Sequence, residues 1–296
     1  MGGYLSPAKG DESPASLGLS SEELSSLLSR ALAEDLGQGD LTARLTLPEE
    51  ARAQGTFRSK QRLVLAGLPI AQRVFEILDS TLEWQGMAPE GTEVAAGTPL
   101  ASISGAARSL LAGERVALNF LQHLSGIATF TRRLKDELAG TRAELLDTRK
   151  TTPGLRGLQK YAVRLGGGRN HRLRLDDGIL IKGNHLRLAG GVRIAVERAL
   201  RQRPSGYRVE VEVTTREELA EAILAGADGV LLDNMSPAEV RECVRCAAGR
   251  LPLEVSGGID ASNIRAYAEA GADYISVGAL THSPVAADIN FRIMPF

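Results

Sequence analysis

This 296-residue chain is poor in the features that mark a membrane span, a disulfide scaffold or a nucleic-acid platform. No run of about 18 apolar residues occurs, so no segment has the length and character of a membrane-spanning helix. Aromatic residues make up 4% of the chain, with a single Trp, which leaves little for stacking on bases. Neither sign of charge is in excess: 35 Lys and Arg face 36 Asp and Glu, and the whole-molecule field gives no reason to expect nucleic acid or an anionic membrane as partner. Any anion site has to be a local concentration of charge. There are two cysteines, Cys243 and Cys246, in C-x-x-C spacing. A zinc site needs two further ligands at matching spacing, and a redox pair needs its first Cys at a helix N-terminus. Ser236-Pro237-Ala238-Glu239 instead reads as a capping box with Pro at the first helical position. Both cysteines then fall in later turns of one helix, as packing residues in a reducing compartment.

What is present is ordinary for a globular protein: 43% hydrophobic and 24% charged residues, and a length suited to two domains. Residues 1–18 are rich in Gly, Pro and Ser without an apolar stretch, so they read as a flexible leader, not an export signal, and a cytoplasmic location is expected. Met1-Gly2 with Ser6 formally fits an acylation pattern, but no polybasic patch accompanies it. Ser20 with Glu23 forms a capping box that opens an amphipathic helix to about Leu36. Up to residue 119 a second helix, near Ile70 to Leu78, mixes with short strands such as Thr56 to Phe57 and Leu100 to Ile103. The glycines between 86 and 105 mark turns within a β-layer.

From residue 120 to 285 the expected domain is a βα barrel. Apolar runs at Ala143–Leu146, Ile179–Ile181, Val209–Val213, Gly229–Leu232, Leu253–Val255 and Tyr274–Val277 alternate with helical stretches at Arg193–Arg201, Glu217–Leu224, Ala238–Ala248 and Ala261–Glu269. Repeated βα units imply a parallel sheet and favour a barrel; a doubly wound sheet is the alternative, but no G-x-G-x-x-G follows a strand.

Side chains alternate along a strand, so in Val209-Glu210-Val211-Glu212-Val213 the valines share one face and the glutamates the other. With the valines towards the helices, the glutamates point into the barrel. Lys182 follows Ile179-Leu180-Ile181, Asp233 follows Val230-Leu231-Leu232, and Ser256-Gly257-Gly258 follows Leu253-Glu254-Val255, all at strand C-terminal ends, where such barrels build their active sites. Gly257, Gly258 and Gly278 would let backbone N–H groups approach a phosphate. Between Arg149 and Lys182 nine Lys or Arg residues stand against Asp176 and Asp177, a net of plus seven. A solvated loop or an RNA patch is the plain reading, yet Tyr161 is the only aromatic in that window, and a small multiply charged anion fits better. His171 lies beside Arg172 in this cluster; His123, His185 and His282 read as structural.

The ordered motifs resemble one family. They are Glu34-Asp35-Leu36-Gly37 with Gly39-Asp40-Leu41-Thr42, ERVALNFLQHLSGIAT from Glu114, DTRKTTPGLR from Asp147, KYAV and GGGRNHR between Lys160 and Arg172, LIKGNH from Leu180, VEVE from Val209, LLDNM from Leu231, SGGI from Ser256 and ISVGALTHS from Ile275. Together they resemble the quinolinate phosphoribosyltransferases over nearly all of the chain after residue 18. The resemblance implies an α/β sandwich domain at 19–119, rejoined by a last strand within 286–296, beside an open-faced βα barrel. It implies transfer of phosphoribosyl from 5-phosphoribosyl 1-pyrophosphate to quinolinate with loss of carbon dioxide, the alternative being a related transferase that takes nicotinate or another acid. It also implies a homodimer in which Arg115 of the ERxxLN motif reaches the neighbour's site. By the same resemblance Arg149, His171, Arg172 and Lys182 clamp the two quinolinate carboxylates. Thr148, Lys150, Glu212, Asp233, Ser256, Gly257, Gly258, Gly278 and Ala279 receive the donor, with Lys150, Lys182, Glu212 and Asp233 as the catalytic set. Glu212 and Asp233 would hold Mg2+, directly or through water or substrate. Gly183 stands where relatives often carry an acidic residue and is given no catalytic duty.

Overall fold

The computed structural model describes residues 17–296, so nearly all of the expected leader lies outside the described residues. The described chain forms two compact units. One takes the residues up to Arg132 with Pro153–Gly167 and Ser283–Phe296; the other takes Arg133–Thr152 and Gly168–His282. The helical segment 153–167, which sequence reading left inside the barrel, therefore belongs to the first unit.

In the first unit the capping box forms as expected: Glu23 N donates to Ser20 Oγ (3.2 Å), Ser20 N to Glu23 Oε2 (2.8 Å), and the helix runs Ser21–Leu36. The second helix is Leu68–Leu78. A four-stranded antiparallel sheet carries the order Ile289–Pro295, Arg52–Ser59, Pro99–Ala106, Glu83–Gly86, so the C-terminal strand does return to this unit. A ring cluster covers this sheet: Phe57 packs on Phe291 with centroids 4.4 Å apart and on Trp84 at 5.9 Å, with Phe75 of the second helix edge-on at 6.2 Å. A β-carbon at Gly55 would lie 1.9 Å from the Phe291 ring, which is why a strand otherwise suited to a bulkier residue holds glycine there.

One long helix, Ala107–Glu137, was not legible as a helix in the sequence. Gly113 and Gly126 weaken its local propensity by about 1 kcal/mol each. Both are demanded by packing, because a β-carbon at Gly113 would meet the Phe75 ring at 2.5 Å and one at Gly126 the Val285 carbonyl at 2.2 Å. Tertiary contact overrides propensity here.

In the other unit six parallel strands take the order Glu144–Leu146, Tyr274–Ser276, Leu253–Ser256, Gly229–Asp233, Val209–Val213, Ile179–Ile181. The first and last of these do not pair with each other, so the barrel is open-faced. Four helices, Val192–Gln202, Arg216–Ala225, Pro237–Ala247 and Ile264–Ala270, follow four of the strands. Registry separates the two faces of the sheet. Val209, Val211, Val213, Val230, Leu232, Leu253, Val255 and Ile275 fill one face and are buried. Fully burying each of these side chains is worth about 1.5–3 kcal/mol. The opposite face carries Glu210, Glu212, Asp233, Glu254, Ser256 and Ser276. The alternation expected for Val209–Val213 therefore holds, with the glutamates turned away from the valines.

Both cysteines lie in the helix Pro237–Ala247, capped by Ser236 and Glu239, as the sequence implied. Cys243 is buried with its sulfur 3.6 Å from that of Met235, burial pushes its thiol up to about 11, and Cys246 is exposed. Neither is set up as a nucleophile.

Candidate active site

The C-terminal ends of the parallel strands, with the loops that follow them, carry the expected charged residues Arg149, Lys150, Arg172, Lys182, Glu212 and Asp233. Lys182, directly after Ile179–Ile181, places Nζ 2.5 Å from Glu212 Oε2. The backbone N–H of Gly183 donates to Glu212 Oε1 at 3.0 Å. Burial alone would raise the Glu212 carboxyl; the bonds from Lys182 and Gly183 outweigh it and hold the group below the ordinary range. Gly183 thus acts through its N–H, at a position where a side chain carries no duty. Asp233 ends the strand Gly229–Asp233 and accepts from Asn234 Nδ2 at 2.7 Å.

Gly257 and Gly258 follow Leu253–Ser256 with φ of +100° and +63°, in the left-handed region that favours glycine. A β-carbon on Gly257 would also strike Asn234 Oδ1 at 2.2 Å. Asn234 itself has φ +56° and donates its N–H to Ser256 O at 2.9 Å, so Asp233 and Ser256 are tied together across neighbouring strands. At Gly278 the constraint is crowding: a β-carbon would meet Lys150 Cδ at 3.0 Å and His282 Nε2 at 3.2 Å. The Lys150 side chain lies over the turn at Gly278 and Ala279, and Thr281 Oγ1 donates to Lys150 O at 2.8 Å. Thr148 Oγ1 accepts from Lys150 N at 3.0 Å, which shapes the loop after Glu144–Leu146.

Arg172 is buried, and its Nη1 donates to Gly178 O at 2.9 Å. Burial first, then the neighbouring Arg149 cation, lowers its guanidinium from the ordinary value, with Glu210 and Asp177 opposing. Two neighbouring guanidinium groups, one of them buried, give this part of the rim a local excess of positive charge that an anion would offset. Of the groups beneath them, sequence reasoning pointed to Glu210 but not to Asp147 or Glu254 as site residues. Asp147, fully buried, accepts from the His171 N–H at 2.8 Å and from Asn170 Nδ2 at 2.6 Å, fixing the loop that carries His171 and Arg172. Buried Glu210 and Glu254 lie on the other side of His171. Strand alternation pointed to Glu210; Glu254, single between Leu253 and Val255, gave too short a pattern.

The residues of the net positive window are divided between the two units. Arg149, Lys150, Arg172 and Lys182 belong to the barrel rim, whereas Arg156, Lys160 and Arg164 lie on the helix Arg156–Leu165 of the first unit. Arg169 pairs with Glu144 at 3.6 Å. Arg115 is exposed on Ala107–Glu137, in the first unit. Of the histidines read as structural, His123 Nε2 sits 2.9 Å from Gln159 Nε2, and His185 Nδ1 accepts from Lys182 N at 2.9 Å at the start of the helix Gly183–Ala189. His282 flanks Gly278.

Comparison with known proteins agrees with this geometry. Residues 40–125 match the quinolinate phosphoribosyl transferase N-terminal domain and residues 127–292 the C-terminal domain. A probable nicotinate-nucleotide pyrophosphorylase (carboxylating) of Synechocystis sp. is 43% identical over 271 residues, covering 90% of this chain and 91% of that protein. The Bacillus subtilis protein of the same description is 40% identical, covering 92% and 93%. The crystal structure of NadC from Streptococcus pyogenes superposes with a TM-score of 0.90 at 39% identity, over 94% of this chain and 99% of that one. An open parallel barrel with carboxylates and cations at one mouth, joined to an antiparallel unit and matched by both domain descriptions, places the chain in the quinolinate phosphoribosyltransferase family.

Proposed function

We propose that the barrel rim is the site at which two mutually repelling anions are brought together, and that the residues expected from the sequence carry the roles the family implies. The enzyme transfers phosphoribosyl from 5-phosphoribosyl 1-pyrophosphate to quinolinate with decarboxylation, giving nicotinate mononucleotide, pyrophosphate and carbon dioxide. The observation that carries the assignment of the site is the convergence of Arg149, Arg172 and Lys182 with Glu212 and Asp233 at the strand ends of one open sheet.

Arg149, His171, Arg172 and Lys182 receive the two acceptor carboxylates. Thr148, Lys150, Ser256, Gly257, Gly258, Gly278 and Ala279 receive the phosphates of the donor, where exposed N–H groups and the Lys150 cation suit them. Glu212 and Asp233, acceptor-only groups, take the ribose hydroxyls and favour positive charge on the ribose carbon as pyrophosphate leaves. The ring nitrogen forms the new bond to that carbon. The pyridinium that results stabilises the electron pair left on the ring when the adjacent carboxylate departs, and a proton then takes its place. Positioning and electrostatics supply the acceleration; no covalent nucleophile is required.

Mg2+ fits this rim on the donor's side. Both Glu212 oxygens are already engaged, by Lys182 and by Gly183, so Glu212 serves a metal through water or substrate, while Asp233 is the better placed carboxylate. When bound with the donor, the ion supplies neutralisation of the pyrophosphate. The functional unit is a homodimer in which Arg115 of the partner subunit completes each site. A cytoplasmic location is part of the same reading; among the described residues no helix is long and apolar enough to cross a membrane.

Purified enzyme with quinolinate, donor and Mg2+ should form nicotinate mononucleotide, identified by mass spectrometry, and none without the donor. Arg115→Ala mixed with Lys182→Ala under proven subunit exchange should recover part of the activity that each lacks alone. Failure to recover would contradict the shared site.

A further inference from the structure

Beneath the rim lies a buried group that the reaction scheme above does not use. Glu254 is 0% exposed, Glu210 4% and His171 8%. Ser276 Oγ donates to Glu254 Oε1 and the Glu210 carboxyl lies against Glu254, whereas Glu254 Oε2, equally buried, receives no N–H or hydroxyl donor from the described residues. That oxygen lies 3.6 Å from His171 Nε2, and Glu210 Oε2 lies 3.8 Å from the same nitrogen. A buried acceptor without a donor is costly, so its presence here calls for a reason.

The other nitrogen of the ring settles the tautomer. His171 Nδ1 accepts the backbone N–H of Arg172 at 2.7 Å and therefore carries no hydrogen. In the neutral ring the hydrogen is then on Nε2, the nitrogen that lies near the two carboxyls. Asp147 holds the same residue from behind through the His171 N–H. The ring thus links a buried carboxyl pair on one side to the Arg172 backbone on the other.

Three such side chains with ligating atoms within 4.8 Å of one another also have the make-up of a divalent-metal site. The tautomer argues against it, because Nε2 bearing hydrogen has no lone pair to offer. To bind a metal the ring would have to give up its bond from Arg172 N.

We propose that Glu254, together with Glu210, is a positioning residue of the acceptor site: the buried carboxyls hold His171 as its Nε2–H tautomer, and His171 in turn fixes Arg172 towards the acceptor acid. This rests on the assignment of Arg172 to the acceptor carboxylates. The expected consequence is selective. Loss of the acceptor on Glu254 lets the His171–Arg172 pair relax, weakening quinolinate binding while leaving the donor phosphates on the Gly257 and Gly278 turns untouched.

The test compares Glu254→Met, of similar length with no acceptor, and Glu254→Gln, which keeps one carbonyl for His171 and one polar group for Ser276. Steady-state kinetics with quinolinate and donor should show the KM for quinolinate raised about tenfold or more in Glu254→Met. The KM for the donor should stay within about twofold of wild type, and Glu254→Gln should restore most of the loss. Nitrogen-15 spectra of the histidines should show His171 protonated on Nε2 in wild type. Should Glu254→Met fail to fold, Ser276→Ala, which removes the donor to Oε1, is expected to move the quinolinate KM in the same direction by less. Equal rises in both KM values, no rescue by Glu254→Gln, or saturable Zn2+ binding that Glu254→Met abolishes would each overturn the proposal. A wild-type enzyme inactive on quinolinate would instead overturn the functional reading on which it stands.

Discussion

Glu90 in the antiparallel unit and Glu254 in the barrel are both carboxyls raised by burial, and the two are treated in opposite ways. In the antiparallel unit Glu90 receives N–H groups from Gly67 (2.9 Å) and Leu68 (2.7 Å) and the Tyr161 hydroxyl. It therefore caps the helix Leu68–Leu78, whose N-cap Gly67 has no side chain to do so. In the barrel, Glu254 is buried more deeply, yet its Oε2 receives no N–H or hydroxyl donor from the described residues. Burial raises both carboxyls, Glu254 to about 7. The difference shows how to separate a carboxylate that builds a fold from one that serves a site: the first is satisfied by the backbone around it, the second is left facing a group that must be aimed.

The contrast is broken most severely by removing a rim charge. Lys182→Ala should lower kcat/KM for quinolinate by about 10²- to 10³-fold with little change in melting temperature, since Glu212 keeps the Gly183 N–H. Kinetics and thermal unfolding of the same preparation would check it. Glu90→Leu should do the reverse. Stranding the Gly67 and Leu68 N–H groups is expected to cost about 3 kcal/mol in urea unfolding, while both KM values stay within about twofold of wild type.

A smaller effect concerns pH. Glu254 releases its proton near 7 when folded and near 4.5, the ordinary value, when unfolded. The folded state therefore holds the extra proton between these values, and its contribution is complete below pH 4.5 and lost as pH rises through 7. Wild-type stability measured from pH 5 to 8 should carry this downward component, and Glu254→Gln should flatten it. The smallest effect is expected at Cys246→Ser, within about 0.5 kcal/mol of wild-type stability and with unchanged turnover, because the thiol is exposed on a helix remote from the chemistry in sequence and partnered by a buried Cys243.

Much of this was legible before any coordinates. The strand Val209–Val213 announces itself because five residues alternate without a break, and the helices at Ser21 and Pro237 because a capping box is a local event. The rim residues Lys182, Asp233 and Gly257 follow from strand ends alone. What stayed hidden depends on partners distant in sequence. Ala107–Glu137 looked interrupted because the rings and carbonyls that require Gly113 and Gly126 lie elsewhere in the chain. Helix Arg156–Leu165 was obscured by its own charges, which were counted only as part of a cationic window for a small anion, although Lys160 proves to be buried. Glu254 gave no signal because its meaning comes from Ser276 and His171, which meet it only in the folded sheet.

The central claim is that the rim is built for an acid with two carboxylates. The ratio of kcat/KM for quinolinate to that for nicotinate, which has one carboxylate fewer, tests it most directly. A preference for quinolinate of at least about 10²-fold in wild type, sharply reduced in Arg172→Ala, is the predicted result. Equal or better turnover of nicotinate by the wild-type enzyme would contradict it.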